Sequence, residues 1–240
     1  MTPLLQLDGT TRRFRGGDGV HDLRLSLAPG EIVALVGLNG AGKTTLMRLA
    51  LGMLRPQEGT VRIAGGDLAT APAAVWREVG HLIEVPLAYP ELTTRQNLRA
   101  AAALRGADPS CVERAITEWK LDGYADRRVR RLSLGNRQRV GLASALQHAP
   151  RLVVLDEPSN ALDPAGVLVL RDALLQRADA GAAVLVSSHH LDEVARIAHR
   201  IVVMNGGRLI GELEPATSEL ERVFFERVRI DDEERRAVAA

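Results

Sequence analysis

The amino-acid sequence predicts an α/β fold built on a parallel sheet, and three observations carry that expectation. Short, continuously apolar, β-branched runs recur at EIVALVG (31–37), RLVVLDEP (151–158), AAVLVSSHH (182–190) and RIVVMNGGRL (200–209). Runs of that length suit strands buried on both faces. Helix-patterned segments alternate with them, as strand–helix crossovers require. Shorter alternating runs in the first sixty residues (LLQL, LRLSL, TVRIAG), set between Gly- and Pro-rich turns, predict an antiparallel sheet flanking the core.

The elements follow in order. GKTTLMRLALGML reads as a helix after the first core strand. HLIEVPLAYP, His81 to Pro90, begins as an apolar strand-like run, stops at the carboxylate of Glu84 and passes into a proline-interrupted loop. From about Leu92 to His148 the period becomes helical, in TRQNLRAAAALRG, SCVERAITEWKL and NRQRVGLASALQH, so this block reads as a helical subdomain inserted between core strands. PAGVLVLRDALLQRA and LDEVARIAH return to the strand–helix alternation, and NGG at 205–207 reads as a hairpin turn. The expected organisation is one domain over 1–230. Its nucleotide-binding core covers 1–84 and 149–215, its helical subdomain 85–148, and a charged solvated tail 231–240.

Composition bounds the function. The chain has 240 residues, 46% apolar and 25% charged, with a net charge of +1. That is the mixture of a soluble globular protein, and it gives no electrostatic case for a nucleic-acid partner. A single cysteine, Cys111, excludes an internal disulfide framework and fits a reducing compartment. No signal peptide and no apolar run of about 18 residues is seen, so the expected location is cytoplasmic. Basic residues are almost all arginine; the only lysines are Lys43 and Lys120.

Lys43 lies in the strongest motif. GLNGAGKTT, Gly37 to Thr45, matches G-x-x-x-x-G-K-[ST] after a buried strand and at the start of a helix. The backbone of Gly37, Asn39, Gly40, Ala41 and Gly42, with Lys43, Thr44 and Thr45, is expected to cradle phosphates at the helix N-terminus. Lys43 brings a compact charge to the β- and γ-phosphates, and the Thr44 hydroxyl is a ligand for Mg²⁺. LVVLDEP delivers two acids at a strand end, where open α/β sheets bind ligands. Asp156 is expected to hold Mg²⁺ and Glu157 to orient or deprotonate the attacking water. VLVSSHH offers His189 and His190 at another strand end, and one of them is expected at the γ-phosphate. Ser133 and Gly135, in RLSLGNRQRVGLASAL, precede a helix and by themselves read as its N-cap. The whole is a P-loop NTPase (RecA-like) core.

GLNGAGKTT, LSLGN, LVVLDEPSNALD and SSH, in this order and spacing, resemble the ATP-binding subunit of an ABC transporter over roughly residues 4 to 225. The resemblance implies ATP and Mg²⁺ as ligands, a second ATP-binding subunit in a head-to-tail dimer around two ATPs, and a separate transmembrane permease. It implies a peripheral place on the inner face of the cell membrane. Phe14 resembles the aromatic that stacks on adenine. Ser133 and Gly135 resemble the signature that serves the partner's γ-phosphate in trans. Asp163 resembles the loop linking the two sites, and His189 the switch histidine; His190 carries no family role. The sequence departs from the pattern at Leu134 and Asn136, where glycine and glutamine are usual. It departs again at Glu84, where the family carries a glutamine that reaches Mg²⁺ or the attacking water and feels the permease. The glutamate version, in the frame LIE-P-YP-LT, resembles the exporters of lantibiotic immunity and drug self-resistance; a near-isostere without substrate meaning is the alternative. Another substrate or import is the alternative function, with a soluble non-transport ABC ATPase behind it. The single cassette and near-neutral charge weigh against the last.

Overall fold

A computed structural model describes residues 2–16, 18–86, 88–217 and 219–239. Leu87, in the crossing stretch, lies outside the described residues. The chain opens with β1 (Leu5–Arg13) and β2 (Gly19–Leu27), then enters the core as β3 (Ile32–Val36) and α1 (Lys43–Ala50). It returns to the flank as β4 (Glu58–Ile63) and β5 (Gly66–Asp67) and re-enters the core as β6 (Val79–Leu82). The helices α2 (Thr94–Arg105), α3 (Cys111–Glu118) and α4 (Leu134–Leu146) follow without an intervening strand. Then come β7 (Leu152–Leu155), α5 (Pro164–Asp179), β8 (Ala183–Ser188), α6 (Leu191–Ala195), β9 (Arg200–Asn205), β10 (Arg208–Leu213) and α7 (Leu220–Ala239).

Among the described residues the strands form two sheets, a four-stranded one in the order β2-β1-β4-β5 and a six-stranded one in the order β10-β9-β3-β8-β7-β6. The first is antiparallel; the second is parallel except for β10. The central strand β3 shows why its run carries no alternation. Ile32, Ala34 and Val36 face a core shared with α5 and the helical block, while Val33 and Leu35 face a second core shared with α1, β1, β2 and β4. Each fully buried aliphatic side chain there contributes about 1.5–3 kcal/mol. Both faces are covered, so a charge at any β3 position would be buried.

Local chemistry sets the boundaries. Thr93 and Gln96 form a reciprocal capping box on α2, Ser133 caps α4 through the Asn136 N–H, and Asp163 caps α5 through the Gly166 N–H, with Pro164 at the first helical position. The NGG turn closes β9 onto β10 as expected: Asn205 pairs with Arg208, and Gly206 and Gly207 both take positive φ, 48° and 78°. That double left-handed step matches the strand twist and suits glycine.

Two expectations are corrected. Residues 231–239 are not a solvated tail but the last turns of α7. The charged run reads as solvated, yet Arg235 reaches back to Asp231 at 3.1 Å and Arg229 forward to Glu233 at 2.7 Å, pairs that support a helix. Asp231 and Asp232 also accept from the Asn205 amide at 2.7 and 2.8 Å, tying the helix to the β9–β10 hairpin. The strand before Glu84 ends earlier, at Leu82, and Glu84 stands beyond it in a left-handed conformation, φ 63°.

The seam between the sheet and the helical block holds a cation that, among the described residues, has no carboxylate partner. Arg105, the last residue of α2, donates to the Trp76 carbonyl and lies 3.4 Å from His81 Nδ1. Burial first, and the Arg105 charge second, push both His81 and His148 down to about 4; Arg177 acts in the same direction on His148. The unfolded chain therefore takes up these two protons first, near pH 6.5, so their stabilisation is full above that pH and is lost as pH falls toward 4. At pH 5 the loss is about 2 kcal/mol per histidine, and the melting temperature is expected to fall by roughly 5–10 °C relative to pH 7.5. In the His81→Gln/His148→Gln variant most of that fall should vanish; an unchanged pH dependence by calorimetry would refute the assignment.

Candidate functional site

The parallel strands β6, β7, β8 and β3 end at one edge of the sheet, the edge where open α/β sheets present ligand-binding loops. Of these, β3, β7 and β8 each lead into one part of the site. After β3 the phosphate loop turns tightly: a Cβ on Gly37 would stand 2.4 Å from the Met204 carbonyl oxygen, so only glycine fits against β9. The Gly207 N–H donates to the Ala41 carbonyl at 2.9 Å, so the hairpin turn braces the loop from behind. Lys43, at the start of α1, is only 8% exposed. Its ammonium donates to the Gly37 carbonyl at 2.7 Å and lies 3.7 Å from the Glu157 carboxylate. Those partners compensate a charge that burial would otherwise penalise.

After β7 come the two acids. The Thr44 hydroxyl donates to Asp156 Oδ2 at 2.7 Å, joining the phosphate loop to the strand end. Glu157 takes φ 47°, a conformation that costs a residue with a side chain about 1–2 kcal/mol. From there it faces Lys43 on one side and His189 on the other, with His189 Nδ1 2.7 Å from Glu157 Oε2 and the His189 N–H donating to the same oxygen at 3.3 Å. Lys43, Thr44, Asp156, Glu157 and His189 are thus one connected array drawn from three chain segments. His190 stands outside the array at the cap position of α6, its ring tilted 43° against that of His189 with centroids 3.9 Å apart.

Other candidates stand outside that array. Glu84 is held by Arg48 of α1 at 2.6 Å, a pair largely open to solvent. Ser133 Oγ accepts from the Asn136 N–H at 3.3 Å, as a cap. Gly135 packs so that a Cβ would meet the Ala161 carbonyl oxygen at 2.7 Å, a reason for glycine within this chain. Leu134 between them is 67% exposed. Asp163 pairs with Arg139 at 2.5 Å, which with the Gly166 N–H holds its carboxyl below the usual range. Phe14 is exposed on the flanking sheet, with the Arg12 guanidinium 5.6 Å over its ring. Among the described residues no hydrogen bond joins Phe14, Ser133 or Gly135 to the phosphate loop.

Sequence reasoning missed Ser187 and Arg48. Ser187 stands inside VLVSSHH, and a hydroxyl where the strand is otherwise apolar was its available signal. Arg48 carried none, because its partner is 36 residues away.

A phosphate loop, a strand-end Asp–Glu pair and a histidine on the glutamate define a nucleoside-triphosphate-hydrolysing site of the P-loop class. The ABC transporter family model matches residues 20–160. The bacitracin transport ATP-binding protein BcrA of Enterococcus faecalis is 36% identical over 215 residues, covering 89% of this chain and 70% of that protein. The lantibiotic transport ATP-binding protein SrtF of Streptococcus pyogenes is 32% identical over 222 residues, covering 92% and 96%. Among solved structures, the ATP-binding subunit of an ABC transporter superposes with TM-score 0.86 at 28% identity, covering 93% of this chain and 99% of that one. A dimeric ATP-binding cassette in a post-hydrolysis state, bound to ADP and Pi, shares the fold with TM-score 0.82 at 22% identity. The chain belongs to the ABC transporter family, as an ATP-binding subunit with ATPase activity. Among the described residues no helix is long and apolar enough to cross a membrane.

Proposed function

We propose that this chain drives a separate membrane permease from the cytoplasmic face, pairing head to tail with a second ATP-binding subunit around two ATPs. The observation that carries the proposal is the connected array Lys43–Glu157–His189 with Thr44–Asp156, at a single sheet edge. In this reading the loop from Gly37 through Asn39, Gly40, Ala41 and Gly42 to Thr45 wraps the phosphates, and Lys43 leaves the Gly37 carbonyl for the β- and γ-phosphates. Phe14 stacks on adenine. Ser133 and Gly135 cap the partner's γ-phosphate, and the helices of 85–148 move as a unit against the nucleotide core.

The donor set fits Mg²⁺. Thr44 Oγ1 and Asp156 Oδ2 are neighbouring hard oxygens, and no cluster of three or more His, Cys, Asp or Glu able to hold a metal occurs among the described residues. A metal held by one or two protein oxygens and the substrate's phosphates is the usual Mg²⁺ arrangement. Bound there, Mg²⁺ would neutralise charge building on the phosphates. Glu157 accepts the proton of the attacking water while His189 fixes the carboxylate's orientation from the far side.

The cargo proposed is an exported antibiotic-type peptide or drug. The names of BcrA and SrtF support it, together with a glutamate at position 84. Glu84 stands between the core and the helical block, where its release from Arg48 can report nucleotide state to the exposed Val85 and Tyr89 beyond it. The expected result for Glu84→Ala, in vesicles holding the permease, is a transport rate lowered by about tenfold with ATP affinity within about threefold of the parent. An unimpaired rate would remove Glu84 from coupling.

A further inference from the structure

Ser187 is the fifth residue of β8, fully buried, in a strand whose preceding residues are all aliphatic. Its hydroxyl makes two hydrogen bonds, both to β7's catalytic end. Oγ donates to Asp156 Oδ1 at 2.6 Å, and Oγ accepts from the Glu157 N–H at 2.8 Å. One small group thus touches both acids at once. A hydroxyl can do this because it carries one donor and two lone pairs; no aliphatic side chain of similar size can.

The two bonds have separate consequences. Asp156 is clamped through both its oxygens, Oδ2 by Thr44 from α1 and Oδ1 by Ser187 from β8. Should Thr44 turn to another partner, Ser187 still holds the carboxylate in plane. Glu157 holds its left-handed backbone with its N–H tied to Ser187. That backbone directs the carboxylate between Lys43 and His189. Loss of the hydroxyl leaves a buried carboxylate oxygen and a buried N–H without these partners, an arrangement that is costly to keep in place.

We propose that Ser187 is a positioning residue for hydrolysis, a single hydroxyl that sets the orientation of Asp156 and the backbone of Glu157. This rests on the reading of those two acids given above, as metal holder and water activator. Ser187 is fully buried behind the two acids and acts only through them.

The test compares Ser187→Ala, Ser187→Thr and Ser187→Cys with the parent and with Glu157→Gln, in three measurements. Turnover is read as kcat and KM for Mg·ATP, ATP affinity by fluorescent-nucleotide titration without metal, and the metal site by electron paramagnetic resonance of Mn²⁺ with a non-hydrolysable ATP analogue. For Ser187→Ala the expected result is kcat reduced by about 10–100-fold, a share of what a misplaced catalytic group loses. KM and metal-free affinity stay within about threefold, because the phosphate loop is untouched. The Mn²⁺ spectrum shifts and its affinity weakens. Ser187→Thr, which keeps the hydroxyl, restores kcat to within a few-fold. Ser187→Cys, a weaker donor of similar size, falls between parent and alanine and carries the test if the alanine variant does not fold. Full turnover in the alanine or cysteine variant overturns the proposal, as does a uniform loss of affinity and kcat that threonine fails to rescue. Glu157→Gln separates the levels. If that variant hydrolyses ATP normally, the reading of the acids fails; if it is dead while Ser187→Ala is active, only the role of Ser187 fails.

Discussion

Lys43→Ala is expected to weaken ATP binding by about 10²–10⁴-fold. Hydrogen bonds to charged groups contribute about 1.5–3 kcal/mol each, and an ammonium serving two phosphates loses two of them, at 1.4 kcal/mol per tenfold. The structure shows why no neighbour substitutes. Lys43 is buried against the Gly37 carbonyl, and the chain's other lysine, Lys120, is far away in sequence, just past α3 within the helical block. Arg48, the nearest cation along α1, is already paired with Glu84. Lys43→Arg is expected to rescue little, since a planar guanidinium does not fit a cage closed by the loop's own carbonyls. Equilibrium titration with ATP, beside a melting curve to verify folding, decides it. Affinity unchanged in a folded Lys43→Ala variant would refute the phosphate-loop assignment.

Glu157→Gln is expected to lower kcat by about 10²–10⁴-fold while leaving ATP affinity close to the parent's. The amide keeps the volume and a hydrogen-bonding oxygen but cannot accept a proton as the carboxylate does. The 3.7 Å approach to Lys43 loses its charge, and the 2.7 Å contact with His189 loses most of its strength. Neither change removes a phosphate contact, so binding and hydrolysis separate. A kcat within about threefold of the parent would assign the base elsewhere.

Most of the fold was legible in the sequence, for physical reasons particular to its elements. The core strands carry apolar residues on both faces, so β3, β7, β8 and β9 stood out without any partner being known. The antiparallel flank announced itself by alternation, and the hairpin by NGG. What stayed hidden depends on distance in three dimensions. The last turns of α7 looked like a solvated run because their value lies in Asp231 and Asp232 reaching Asn205, across the hairpin. The conformation of Glu84, two residues past its strand and drawn to Arg48, follows from a contact no local pattern encodes.

The site divides the same way. Lys43, Thr44, Asp156, Glu157 and His189 were legible because each follows a core strand in a motif whose spacing carries the chemistry, and the structure brings them into one array. Ser187 was not, although it lies two residues from His189, because a buried serine in a strand is usually silent until its partners are seen. Gly135 gained a second reason. Its lack of a side chain lets α4 approach the Ala161 carbonyl, so the position is constrained within one chain as well as by any partner.

In the proposed sandwich, this chain closes on ATP against a second ATP-binding subunit, which in the purified protein is another copy of itself. Sedimentation of the Glu157→Gln variant tests it most directly, because a chain that binds ATP without consuming it should accumulate in the closed state. In Mg·ATP a dimer is expected that returns to monomer in Mg·ADP and never forms when Lys43→Ala is added. A Glu157→Gln variant that binds ATP and remains monomeric in Mg·ATP would contradict it.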